Sequence, residues 1–147
     1  MMYCTLTDIT SEMIPGRTLI QLTDDLENPL GVVDTDKVDR AIANVCGEID
    51  DLLAAHYTVP FNPVPKVIHN IALKQSAYAI YGLCSSIDRP KNIVDDNQTA
   101  TALLTRIAKG EITIGRTENG VVVTSGTNSV QVSAVTPLMT SSRLENF

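Results

Sequence analysis

Two histidines, three cysteines and three adjacent carboxylate pairs are the side chains of this chain best suited to chemistry, and none is spaced for it. His56 and His69 stand in no metal-ligand spacing. Cys4, Cys46 and Cys84 are odd in number and irregularly separated, which argues against both a disulfide framework and a CxxC-type zinc site. They read as buried reduced thiols. His56 suits a helix C-terminus, where an imidazole meets carbonyls, and His69 suits a surface or interface hydrogen bond. Asp24-Asp25, Asp50-Asp51 and Asp95-Asp96 are immediate neighbours, and neighbours on a helix do not face each other. They fit solvated edges or helix ends better than an acid/base dyad.

Glycines and serines add no signature. "ENPLGVV" and "IGRTENG" lack the spacing and the lysine-hydroxyl pair of a phosphate loop, and no serine sits in a G-x-S-x-G frame. "DDLENPLGVVDTD" is acidic without following a calcium-loop pattern. The reading is a protein that is not an enzyme, with no cofactor and no metal.

A chain of 147 residues, 44 % hydrophobic and 19 % charged, is sized and composed for one globular domain with a real core. No apolar run reaches a membrane span, and "MMYCTLTDIT" lacks a secretory signal, so a cytoplasmic site of synthesis is expected. The net charge of −6 is uneven: residues 1–56 carry 11 acids and 3 bases, residues 57–147 carry 6 acids and 8 bases. An acidic front half is a poor grip for phosphate backbones. It suits a solvated or partner-facing surface, or one that nucleic acid passes without sticking.

Helical periodicity dominates the elements that must position these groups. Two short helices are expected around a break at Pro15-Gly16, with Thr7 as N-cap of the first and Ile9 with Met13 as its apolar face. The strongest stripe, Val38, Ile42, Val45, Cys46, Ile49, Leu52 and Leu53, predicts a helix from about Thr35 to Tyr57, capped by Asp34 or Thr35. Gly47 inside it is read as allowing a neighbouring helix to approach. Pro60, Pro63 and Pro65 then forbid helix and stiffen the turn. A helix from about Pro65 to Ser85, apolar nearly all round, is expected to be central. "SSIDRPKNIVDD" reads as a loop, Asn97 as the cap of a fourth helix, and Gly110 as its stop. The fold class is mainly α: a compact bundle of four to five helices, two of them long, over residues 1–115.

Residues 116–147 differ in kind, and are expected to form an extended, partly β tail. Val121 to Val123, the turn-rich "TSGTN", and Val130 and Val132 in alternation resemble a hairpin. Two strands alone are marginal in water. Such a tail packs on its own bundle, stays loose, or pairs with another chain's sheet edge, and the third is favoured because the bundle offers only "EITI" as a strand.

Five ordered stretches carry a family likeness: "MYCTLTDI", "LIQLTDD", "EIDDLLAAHYTVPF", "VPKVIHNIALKQSAYAIYG" and "IAKGEITIG". Over about residues 2–115 they resemble the Mu-like phage head–tail adaptor family, similar to the ring-forming neck connectors of tailed phages. The resemblance implies a structural head-completion protein of the virion neck. It implies a homo-oligomeric ring, dodecameric as in similar connectors, below the portal protein and above a downstream neck or tail protein. Genomic DNA would traverse its channel without specific binding. It further implies core roles for Ile49, Leu52, Leu53, Ile71 and Tyr78, a rigid hinge at "YTVPF", and portal docking through the tail. The docking residues on that reading are Val121, Val123, Val130, Val132, Arg143, Leu144 and Phe147. Two other readings stand beside it. Another neck or tail-completion ring is expected to be mainly β or mixed, and a helix-turn-helix DNA binder would need more than Arg17 on its short helices.

Overall fold

The computed structural model describes residues 2–24, 27 and 29–114, and all regular structure among them is helical. Helix α1 starts at Leu6–Asp8 and widens into a π turn over Ile9–Met13. It is followed by α2, Gly16–Thr23, and by three long helices: α3, Thr35–Leu53; α4, Lys66–Tyr81; and α5, Lys91–Ala108. No described helix is long and apolar enough to cross a membrane.

Helix starts and stops follow from side chains competing for orphan backbone groups. Thr5, not Thr7, caps α1. Its backbone is extended, its Oγ1 accepts from Asp8 N at 3.3 Å, and Asp8 Oδ2 accepts in return from Thr5 N at 2.8 Å. Thr7 lies too far along to do this, because the reciprocal acid must sit three residues after the cap. Asp34 caps α3 by accepting from Lys37 N at 3.2 Å. That helix ends at Leu53 rather than Tyr57: His56 N and Tyr57 N both turn back to Leu53 O, at 3.0 and 2.9 Å.

The start of α5 lies six residues before the cap expected at Asn97. Pro90 precedes the first turn, its carbonyl accepts from Ile93 N and Val94 N, and Ile93 is buried at 1 % exposure. Of the two aspartates that follow, Asp95 is exposed and Asp96 turns toward Lys74 of α4. At the far end Gly110 takes φ +76°, and the bonds Gly110 N to Ile107 O and Glu111 N to Arg106 O close a Schellman stop. α4 stops sooner than expected, at Tyr81. There Arg89 folds across Gly82, stacks 4.1 Å from the Tyr78 ring centre and donates from Nε to Tyr78 O. A Cβ on Gly82 would meet Arg89 Nη2 at 2.6 Å and Ala79 O at 3.1 Å, so a larger residue there would displace the end of the Arg89 side chain.

The core lies around α4, which packs against α3, α5, α2 and the π turn. Ile68, Ile71, Ala72, Leu73, Ser76, Ala77, Ile80 and Tyr81 of α4 are buried, so the all-round apolar sequence has a partner on nearly every side. Tyr3 fastens the N-terminal segment to this core. Its N–H donates to Cys46 Sγ at 3.2 Å, its hydroxyl donates to Asp50 and accepts from Phe61 N, and its carbonyl accepts from His69 Nδ1 at 2.7 Å. Its ring also packs against Phe61, which in turn meets Tyr57. Val59-Pro60 and Asn62-Pro63 are cis in this connection.

Two core expectations change. Leu52 is 53 % exposed, because Leu53 takes the inward position one residue on. Tyr78 is half-buried beneath Arg89 rather than enclosed. Gly47 faces open space, with nothing within 4 Å of a Cβ placed there. Gly47→Ala is therefore expected to stabilise the fold by about 1 kcal/mol, seen as a higher urea midpoint at unchanged slope.

Burial pushes Tyr3 above the ordinary phenol range, with the Asp50 hydrogen bond adding to it; burial likewise pushes the Cys4 thiol from 9.0 up to about 11. Above the ordinary thiol value the unfolded chain loses protons that the folded chain keeps, so stability falls with rising pH. The urea midpoint should drop progressively between pH 9 and about 11. Tyr3→Phe leaves the buried Phe61 N–H without its acceptor and should cost about 1–3 kcal/mol at neutral pH, measured in the same assay.

Candidate interaction surfaces

The groups singled out for chemistry are dispersed, most of them into holding positions. Asp50 receives the Tyr3 hydroxyl, while Asp51 beside it faces solvent. Asp96 pairs with Lys74 at 3.4 Å across α5 and α4, with Asp95 exposed. The carbonyl of Tyr3 can only accept, so His69 holds its proton on Nδ1 there. His56 sits half-buried in the turn that closes α3. Among the described residues no group of three His, Cys, Asp or Glu side chains could hold a metal ion. The seven residues assigned to portal docking, Val121, Val123, Val130, Val132, Arg143, Leu144 and Phe147, lie outside the described residues.

The three thiols divide. Cys4 and Cys46 are buried, and Cys4 donates to Ser76 Oγ at 3.6 Å. Burial raises both. Cys84 is half-exposed in the loop after α4, which the sequence did not anticipate. A contact of 3.0 Å with Ser86 Oγ holds its pKa below the ordinary thiol value.

What the fold does present is surface shape. Along α3 the helical period sorts three strips. Val38, Ala41, Ile42, Val45, Cys46, Ile49 and Leu53 face the core. Asp36, Asp39, Ala43, Gly47 and Asp51 form an exposed flank on which three acids outnumber the one base that borders it, Arg40. Between them Lys37, Arg40, Asn44, Glu48 and Leu52 form one wall of a groove of about 640 Å³. Tyr78 and Ala79 from α4, Leu83 just after it, and Thr101, Leu104 and Thr105 from α5 are among the residues that line the rest of it. Leu52 and Leu83 stand 53 % and 44 % exposed at this groove.

The second feature is the loop between α2 and α3. Asp24 accepts two backbone bonds, from Leu30 N and from Gly31 N, each at 2.9 Å. Gly31 takes φ +71° there, a conformation that glycine adopts freely. Asp34 N donates to Thr23 Oγ1, and Lys37 Nζ to Thr23 O at 2.9 Å. The loop is thus tied at both ends and holds Leu30 at 80 % and Val32 at 57 % exposure. Sequence reasoning read this stretch as an acidic run without a calcium-loop pattern. The signal it passed over was an apolar "LGVV" set inside an acidic run.

The chain matches the family described as Bacteriophage Mu, Gp36, over residues 3–133. The match spans most of the chain, which therefore belongs to that family and is a phage structural or morphogenesis protein. No curated protein matches it. From the thiol geometry, a disulfide reagent at neutral pH should modify one cysteine of the native protein quickly, at Cys84. Cys4 and Cys46 should react only on unfolding, as peptide mass mapping can check.

Proposed function

We propose that this chain is a head–tail adaptor of a tailed bacteriophage: a non-enzymatic subunit of a ring in the virion neck that lies below the portal and extends the DNA channel. The observation that carries this reading is membership of the Mu Gp36 family over residues 3–133. Two properties of the body suit the role. Tyr3, His69, Cys4, Cys46, Asp50 and Asp96 are engaged in structural contacts, and α3 exposes a flank on which Asp36, Asp39 and Asp51 outnumber Arg40. A flank of that sign repels phosphates, so it is the surface assigned here to the DNA channel. The ring is homo-oligomeric, dodecameric on the pattern of similar connectors, with the portal protein above and a further neck or tail protein below. The subunit is made in the host cytoplasm. No metal or cofactor takes part.

Portal docking is assigned to the segment after Gly115, with Val121, Val123, Val130, Val132, Arg143, Leu144 and Phe147 as its contacts. Arginine and aromatic side chains are favoured anchors of such interfaces. The test uses DNA-filled heads that lack a neck, mixed with full-length protein or with a form ending at Gly115. Retention of the full-length form alone, with helical circular dichroism preserved in the shortened one, is the expected result. Equal retention of both forms moves the anchor to the helices. Failure of both refutes portal binding and turns attention to the other neck and tail rings.

A further inference from the structure

Cys4 and Cys46 are far apart in sequence and meet where the N-terminal segment lies on α3. Cys46 Sγ accepts from two successive amides, Tyr3 N at 3.2 Å and Cys4 N. A backbone nitrogen sits about 1.46 Å from its own Cα, so the Cys4 Cα lies within about 5–6 Å of the Cys46 sulfur. Disulfides join Cα atoms about 4.4–6.8 Å apart, a spacing that this contact fits. The Cys4 thiol itself is turned toward α4, where it donates to Ser76 Oγ at 3.6 Å. Both cysteines are 2 % exposed, whereas Cys84 lies elsewhere, in the loop after α4.

We propose that Cys4 and Cys46 are a disulfide-forming pair, kept as thiols in a reducing compartment and joined when the protein meets a small disulfide of the glutathione class. Rotation about the Cys4 Cα–Cβ bond swings its sulfur from Ser76 to Cys46, and Ser76 Oγ can turn to the carbonyl one turn back in α4. While the segment is seated the pair is protected, because burial raises both thiols and the thiolate is the reactive form. Exchange proceeds through local openings in which residues 2–5 lift from the body. The Cys4 thiolate attacks one sulfur of the reagent, forming a mixed disulfide and releasing one thiol, which takes up the proton that Cys4 gave. On reclosure the Cys46 thiolate attacks the Cys4 sulfur and expels a second thiol, which carries the Cys46 proton. The protein gives up two electrons and two protons, and the reagent is reduced to two thiols. The bond ties the N-terminal segment to α3 and closes a long loop, which stabilises the folded chain. It lies within one copy and does not depend on ring formation.

The test uses full-length Cys84→Ser, which removes the half-exposed thiol, incubated under native conditions with oxidised glutathione. Peptide mapping without reductant is expected to show Cys4 and Cys46 linked within a single chain. The urea midpoint of that form should exceed that of the same sample reduced with dithiothreitol. Adding Tyr3→Phe loosens the segment and should speed formation of the link by about fivefold or more, with circular dichroism checking the fold. Adding Cys46→Ser should stop the reaction at glutathione on Cys4. The proposal is overturned if Cys4 and Cys46 stay free, or each carries glutathione, in native Cys84→Ser over a time that fully oxidises the urea-unfolded chain. It is overturned equally if the link joins two chains. A linked form that unfolds at a lower urea concentration than the reduced one also refutes it, because the two sulfurs then do not meet in this fold.

Discussion

Everything else in the fold is arranged around one requirement, that α4 be covered on nearly all sides. Its apolar residues do not form a stripe, so a single neighbouring helix could not bury them. The two long helices α3 and α5 take most of that burial, and the π turn and α2 take the rest. Even the polar Ser76 is fully enclosed and receives the Cys4 thiol. Three long helices of unequal shape cannot close a perfect cylinder around such a centre. The groove between α3, α4 and α5 is where the covering is incomplete, and it therefore has an apolar floor.

The large features of this arrangement are legible in the sequence because each repeats. α3 announces itself by seven apolar positions in helical register, and α4 by having almost no polar face. What escapes detection depends on single residues whose partners lie far away in the chain. Nothing local separates Leu52 from Leu53, since both fit the same stripe; only the position of α4 decides that one is inside and the other lines a groove. The first turn of α5 was hidden for a similar reason. "KNIVDD" is polar enough to pass for loop, and its helicity depends on Ile93 finding the core. The Asp24 clasp is invisible to periodicity, since an acid bonding backbone six and seven residues ahead leaves no repeating trace.

The site is less legible than the fold because it is made of shape rather than of reactive groups. Carboxylates, thiols and histidines can be searched for by spacing, and here that search leads to ties that hold the structure together. The exposed surfaces follow instead from what the core leaves over: an acidic flank on the far side of α3, a groove on its near side, and a tied loop at its start.

Tyr3 has a consequence for the order in which the protein is made. The partners that its polar groups reach lie 43, 47, 58 and 66 residues further along the chain. During synthesis the N-terminal segment emerges first and has nowhere to dock until α3, the proline turn and the start of α4 have left the ribosome. Contacts of such long sequence separation raise the contact order of a protein whose helices are otherwise local, and so slow its folding. A copy cut short by premature termination before His69 would carry an N-terminus without its full set of partners. The beginning of the chain thereby acts as a check that most of the helical body has been completed.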